Sequence, residues 1–513
     1  MSTSKPSFRL DQQPWIPCVM QDGSFCELSL LDVLRRSRQI QRIAGNPLET
    51  ATILRLLLAI AHVVGTPQDE FEWLDIWKAT DQHLERMIAY VEQHADVFDL
   101  YDADRPFAQH PRLEYGSTTP AVLVYERAQG NNQVFLDHSR VDDPQPLTSA
   151  EAARALLVAH AYGGSGTGSN NPLNGGKKDS MLAGPLCARL IGVVEGQNLL
   201  DTIVLNLASN VRCGKPAWER PVCTGPSKTP SQGVADLYTR NTRAVRLTPN
   251  EDGSRCVAVA IFQGEAVAND EDAPIDPMIP RYRASDKRFK PVRLNPDRAM
   301  WRDAHVLLAA SSAATAIPIR ALPTLRVLAS SKLLSEGAVS LRILGIAADA
   351  QGPVTSLWRD ETLPFGLSVI TDDARYAAMT RAVALAEEYA MRTRKRIYGF
   401  AHRYLQDSSA ASPDKQTVST LADELSSNLC DFWSTLSPVG QRIACDGFDE
   451  DAWAQLLRKT SEAVYQQAIN RLPPDARRYR AQFAKRSDDS GAVEDGRPKC
   501  KARKGASKKG AVV

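Results

Sequence analysis

The feature that most restricts the fold is a change of hydrophobic period near residue 373 of this 513-residue chain. Segments at about 373–405, 416–436 and 449–472 carry apolar residues at i, i+3, i+4 and i+7. Pro473-Pro474 stops the last of them, and a shorter run follows at 475–485. A succession of amphipathic helices like this closes as an up-down bundle. Before residue 373 the pattern is short and mixed. Trp15 to Val19, a turn at Asp22-Gly23 and Phe25 to Leu28 read as a β-hairpin. A short helix is expected at Ser29–Arg36. Asn46-Pro47-Leu48-Glu49 combines an N-cap, a first-turn proline and an acid, and opens a helix to about Val64. That helix is apolar around most of its circumference, so it should be buried. Amphipathic helices are expected at 69–79 and 81–94, and further helical runs at 299–316 and 323–335. A second hairpin reads as Val339 to Ala347, a turn at 348–352 and Pro353 to Trp358, with Gln351 at its tip. The prediction is an α+β fold. A large mixed N-terminal domain with hairpins and long loops spans 1–365, a four-helix bundle 366–485, and a basic disordered tail 486–513.

A chain of this length exceeds one compact core, and 43% hydrophobic with 24% charged residues is ordinary for a globular protein. The net charge of +2 excludes a global basic field. Charge is concentrated instead in the tail after Gly496, which has seven basic residues and no acidic ones. Such a tail can touch phosphates or simply keep the chain soluble. The nine cysteines include no Cys-x2-Cys pair, which argues against a zinc knuckle or a disulfide framework and fits a reducing compartment. The N-terminus lacks the apolar core of a signal peptide. The greasiest run, Ile53 to Val64, is short and holds Arg55 and His62. The expectation is a cytoplasmic protein with no membrane partner. The eight histidines show no metal-binding spacing, and no Gly-x-Ser-x-Gly elbow occurs. Cys187 or Cys213 with a distant histidine is a pairing that can be drawn in most proteins. No catalytic residue, metal or cofactor is expected.

Residues 162–178 hold six glycines and two lysines directly after the helical run Ser149 to Ala161. Backbone exposed in this way suits a phosphate chain or a nucleic-acid groove. The stretch is not a P-loop: Asn171 stands where the first glycine belongs and Lys178 where the hydroxyl belongs. Gly164-x-Gly166-x-Gly168 lacks the third glycine of a dinucleotide fingerprint, and a helix rather than a strand precedes it. Three readings stay open: a nucleic-acid contact, a nucleotide-binding enzyme using 163–178, and a linker in a helical scaffold subunit. A long irregular stretch at about 115–147 carries Asn131, Asn132 and Phe135, and loops of that length are functional or disordered. Phe135 either anchors it to the core or serves a partner. Arg392, Arg394, Lys395, Arg396 and Arg403 cluster late in a helix, where they complement its dipole or meet an acidic partner.

The opening Phe8-Arg9-Leu10-Asp11-Gln12-Gln13-Pro14-Trp15-Ile16-Pro17, with Asp22-Gly23 and Leu28-Ser29-Leu30, resembles the N-terminus of CasA-type large subunits of the type I-E CRISPR Cascade complex. The resemblance runs through Pro106-Phe107, Thr119-Pro120, the glycine stretch and Val204 to Leu207, and reaches about residue 485. It implies a non-catalytic subunit of an RNA-guided, antiviral DNA-surveillance complex, in which protein reads a short protospacer-adjacent motif (PAM) and base pairing reads the rest. The implied partners are double-stranded target DNA, the guide RNA 5′ handle with other Cascade subunits, and a nuclease-helicase recruited transiently. By the same resemblance Gly163, Gly164, Gly166, Gly168, Asn170, Asn171, Gly175, Gly176, Lys177 and Lys178 approach the PAM from the minor groove. Ala350, Gln351 and Gly352 form a wedge that parts the duplex, and Asn131, Asn132 and Phe135 dock on the handle. Three departures stand out. Zinc-ligand cysteine pairs of some members are absent here. The family's PAM-reaching lysine has no clear counterpart near Gly264, and the asparagine beside the wedge glutamine is Ala350.

Overall fold

The computed structural model describes residues 5–127, 145–268, 275–309, 315–334, 339–348, 355–406 and 412–483. The fold is α+β with a C-terminal helical region, as the two textures predict. Two compact units emerge from the packing: Met1–Glu387 with Leu436–Leu456, and Glu388–Thr435 with Leu457–Val513.

In the first unit the opening hairpin forms between Ile16–Met20 and Phe25–Leu28, with Val19 opposite Phe25 and a left-handed Gly23 (φ +82°) in its turn. Ile40–Ile43 adds a third antiparallel strand. The helix Pro47–Val64 starts with a full capping box, in which Asn46 and Glu49 satisfy each other's backbone N–H groups. By length and composition this helix is apolar enough to cross a membrane. Fourteen of its residues are buried, however, and it serves as the central core helix of the unit. Arg55 inside it is 1% exposed and donates to Asp276 at 2.6 Å, with its guanidinium over the Tyr238 ring. A charge that deep must be paired, which fixes Asp276 against the helix.

Against that helix pack Thr80–Gln93, Ser149–Tyr162 and Val234–Thr239, while Glu70–Lys78 packs on Ala321–Ser330. The antiparallel pair Arg243–Pro249 and Arg255–Gln263 lies beyond, with Leu147–Thr148 on its edge. A separate sheet holds Ser340–Ala348 between Leu190–Glu195 and Thr355–Leu363. The expected helix over 299–316 is not what forms. Met300–Asp303 is a 3-10 turn, Ala304–Leu307 a single α-turn, and Ala316–Ile317 a strand paired with Arg281 and Tyr282. Strand pairing at Ala316–Ile317 takes the end of the run out of helix, and 310–314 lie outside the described residues.

The second unit has its own apolar core. Ile397, Phe400 and Ala401 from one helix meet Val418, Ala422 and Leu425 from a second. Tyr465, Ala468 and Ile469 come from a third, and Ala481 from a fourth. Its surface is tied by ion pairs: Arg394 to Asp423 and Arg396 to Glu462, both at 2.9 Å. Within this unit, two of the clustered basic residues are therefore spent on neighbouring helices.

Candidate nucleic-acid interface

The glycine stretch is a β-hairpin. The helix Ser149–Tyr162, opened by a Thr148–Glu151 capping box, ends at Gly163, whose N–H returns to the Ala159 carbonyl. A Cβ on Gly163 would lie 2.6 Å from both the Ala159 oxygen and the Arg243 guanidinium, so only glycine fits. Gly166–Asn171 then pairs antiparallel with Lys177–Met181, joining Gly166 to Met181 and Asn171 to Lys177. Pro172–Asn174 forms a 3-10 turn, and Gly175 and Gly176 close it with φ of +63° and +75°. Glycine is required at those two positions because a Cβ strains left-handed backbone.

Glycines and asparagines have little strand preference, so the hairpin depends on what lies beneath it. Asn171, which the sequence reading placed among the DNA-facing residues, is wholly buried. Its amide donates to Asp179, and its oxygen caps the turn by accepting from Leu173 N–H at 2.9 Å. Asp179 also accepts from Asn174 Nδ2 at 3.3 Å and from the Gln263 N–H at 3.2 Å. Gln263 Oε1 accepts from Leu182 N–H at 2.7 Å. At the base, Arg243 Nη2 donates to the Gly164 carbonyl at 2.9 Å, and Gly184 N–H to the Gly163 carbonyl at 2.8 Å. Arg243 is 2% exposed, and burial pulls its pKa down. His160 Nδ1 accepts from Arg243 N–H while Nε2 donates to the Ala108 carbonyl, an arrangement only a neutral ring allows. Burial holds this imidazole down at about 4.

The outer side is open. Gly166, Asn170, Gly175, Gly176, Lys177 and Lys178 are exposed, and Gly164 and Gly168 are half-exposed. Nothing lies within 4 Å of a Cβ built on Gly164, Gly166, Gly175 or Gly176, whereas Gly168 abuts Met181 at 3.1 Å. Neither lysine has a carboxylate partner among the described residues. The hairpin thus combines accessible backbone, two free cations and a rigid underside. That combination suits a polyanion with a groove.

The second hairpin's arms run antiparallel, Ser340–Ala348 against Thr355–Leu363. Arg342 braces them with two bonds of 2.7 Å to Asp360 and one of 3.0 Å to Glu195. Ala350, Gln351 and Gly352 lie outside the described residues. So do Asn131, Asn132 and Phe135, although Arg127 Nη1 donates to the Gln145 carbonyl at 2.9 Å across the base of that segment. Residues 486–513 are outside as well. The sequence reading missed one feature. Residues 281–293 contain six Lys/Arg, with Tyr282 and Phe289 among them, and form the hairpin Arg281–Arg283 with Phe289–Pro291. The spacing of basic and aromatic residues was the available signal.

A mixed-fold chain with these hairpins matches one class of protein, the CRISPR-associated large subunits. The model of the family described as CRISPR-associated protein Cse1 matches residues 10–472, and the chain belongs to that family. CRISPR-associated protein CasA/Cse1 of Thermus thermophilus is 28% identical over 498 residues, covering 93% of this chain and 95% of that protein. A crystal structure of CasA from Thermus thermophilus superposes with a TM-score of 0.75 at 24% identity, over 93% of this chain and 97% of that one. Thermobifida fusca Cse1 gives 0.72 at 24% identity, with 92% of each chain covered. A chain of a CRISPR RNA-guided surveillance complex gives 0.75 at 23% identity, over 93% and 98%.

Proposed function

We propose that this chain is the non-catalytic large subunit of an RNA-guided surveillance complex, reading the PAM in double-stranded DNA and promoting duplex opening. The observation that carries the reading is the glycine hairpin, with open backbone at Gly164 and Gly166 and with Lys177 and Lys178, which have no carboxylate partner among the described residues, over a buried anchor. Family membership supports it, as does the likeness to a chain of a structure described as a CRISPR RNA-guided surveillance complex. Minor-groove readout is degenerate, so a backbone reader of this kind would accept several related motifs. Gln351, between the braced arms, would enter the first base step beyond the motif, where unstacking costs a few kcal/mol. Residues 1–365 would recognise DNA. The bundle 366–485 would serve neighbouring subunits, with a nuclease-helicase recruited once the strands part and Asn131, Asn132 and Phe135 docking on the guide handle.

A nucleotide-binding enzyme built on 163–178 fits less well. The stretch is a hairpin after a helix, whereas phosphate-binding loops sit between a strand and a helix N-terminus. The deciding experiment assembles guide-loaded complex with and without this chain. It measures binding to duplexes that differ only in the motif flanking the target. Motif discrimination only when the chain is present is the expected result. Discrimination that is unchanged by the chain favours the scaffold reading, and saturable nucleotide binding the enzyme reading.

A further inference from the structure

Arg189, Arg281 and Arg293 converge on one place in the first unit. Arg189 and Arg293 are paired by an antiparallel bridge. Arg281 lies opposite Pro291 in its hairpin, so Arg293, two residues further, falls on the same face. Arg189 donates to the Pro185 carbonyl at 2.9 Å; burial first lowers its pKa, Asp276 acts to raise it, and Arg281 and Arg293 add to the lowering. None has a carboxylate within ion-pairing distance among the described residues. The nearest acid acting on Arg189 and Arg281 is Asp276, which is already held by Arg55 at 2.6 Å. Arg281 Nε is buried with no hydrogen-bond partner. Arg189 and Arg281 are half-buried and Arg293 is exposed, so this face holds three like charges whose shared carboxylate already belongs to Arg55, and an anion bound there would offset their repulsion.

The position of the cluster identifies that anion. Arg189 precedes the strand Leu190–Glu195, and its carbonyl lies 2.6 Å from where a Cβ of Gly345 would sit. Three residues beyond Gly345, about 10 Å along the strand, the arm of the second hairpin ends at Ala348. In the other direction, Leu186 and Gly184 donate backbone bonds to Ala161 and Gly163 at the base of the glycine hairpin. Arg189 therefore occupies the segment that joins the two hairpins, with Arg293 bridged to it and Arg281 on the adjoining strand.

We propose that Arg189, Arg281 and Arg293 form a phosphodiester-binding site that grips the DNA backbone between the glycine hairpin and the strand-parting hairpin. This rests on the DNA-reading function proposed above. Arginine suits the task because its fork engages phosphate oxygens in pairs and stays charged when partly buried. The site holds the strand on which the duplex pivots as it opens.

The test uses guide-loaded complex with wild-type chain, with Arg281→Gln/Arg293→Gln, with Arg281→Lys/Arg293→Lys, and with no chain. Affinity for a matched duplex bearing the flanking motif is measured across a salt series. Each lost phosphate contact flattens the slope of log K against log salt by about 0.9. The glutamine variant is expected to flatten it by roughly 2 and to weaken binding about tenfold or more, with the lysine variant close to wild type. Thermal melting of each chain confirms folding. If wild-type chain adds no salt-dependent DNA affinity over complex lacking it, the DNA-reading function itself fails. If it does, and the glutamine variant matches it in slope and affinity, only the arginine site is overturned. A glutamine variant that fails to join guide-loaded complex before DNA is added also overturns the proposal, placing the contact on guide RNA.

Discussion

The backbone N–H of Gln263 donates to Asp179 Oδ2 at 3.2 Å, and this bond joins the glycine hairpin to the strand Arg255–Gln263. Asp179 is 6% exposed and accepts from two asparagines as well, so one carboxylate holds the turn, both strands and the underlying sheet. The hairpin is rigid because of what it stands on.

Asp179→Ala should release it. Removing this buried acceptor strips the Gln263 N–H of it and leaves Asn171 Nδ2 only a 3.4 Å bond to the Gln263 carbonyl, at roughly 1–3 kcal/mol each before relaxation, while the exposed Asn174 turns to water. The expected outcome is faster amide exchange across 166–181, a net loss of about 2–4 kcal/mol in denaturant unfolding and weakened motif discrimination. Unchanged exchange in the hairpin would show that Asp179 does not anchor it.

Two glycines of the same hairpin should behave oppositely. Gly166→Val meets open space and should leave stability within about 0.5 kcal/mol while impairing DNA capture. Gly163→Val would drive its side chain into Arg243 and the Ala159 carbonyl, and should lower the melting temperature by several degrees. Thermal scans paired with duplex-binding assays separate the two effects.

The core ion pair gives a third expectation. Arg55→Met leaves Asp276 buried without its ion-pair partner, a loss of about 3–5 kcal/mol. Arg55→Met/Asp276→Asn should cost less than the sum of its single changes. Urea midpoints for the four chains form the cycle, and additivity would contradict the coupling.

Acid should weaken the first unit through its buried histidines. Burial depresses His160 and His83 to about 4 and His62 to about 3, against an ordinary 6.5. Between pH 6.5 and 4 the unfolded chain therefore binds more protons than the folded one. Stability is full above 6.5 and falls as the pH drops towards 4, by a few kcal/mol for a wholly buried ring such as His160. His160→Gln should reduce that slope in unfolding free energies measured from pH 7.5 to 4.5.

Much of this was open to reading. The Asn46–Glu49 capping box, the Asp22-Gly23 turn and the helical periods of the last third each act locally, within a few residues. The second hairpin was placed correctly on its first strand, and its return strand, described from Thr355, runs on to Leu363 rather than ending at Trp358. The helix expected at 299–316 gave way because Ala316–Ile317 found a strand partner thirty-odd residues upstream. Among the proposed site residues, Gly166, Lys177 and Lys178 are exposed. Asn171 is not, since its burial depends on Asp179 and Gln263.

By itself the sequence determined the two textures of the chain, the capped helices and the Asp22-Gly23 turn. These follow from short-range sterics, capping and hydrophobic period. The tertiary structure decided that a glycine-rich stretch becomes a braced hairpin, that Asn171 faces inward, and that Arg189 bridges Arg293 from about a hundred residues away. Those outcomes depend on which buried charges and backbone groups find partners across long separations. No local preference encodes that choice.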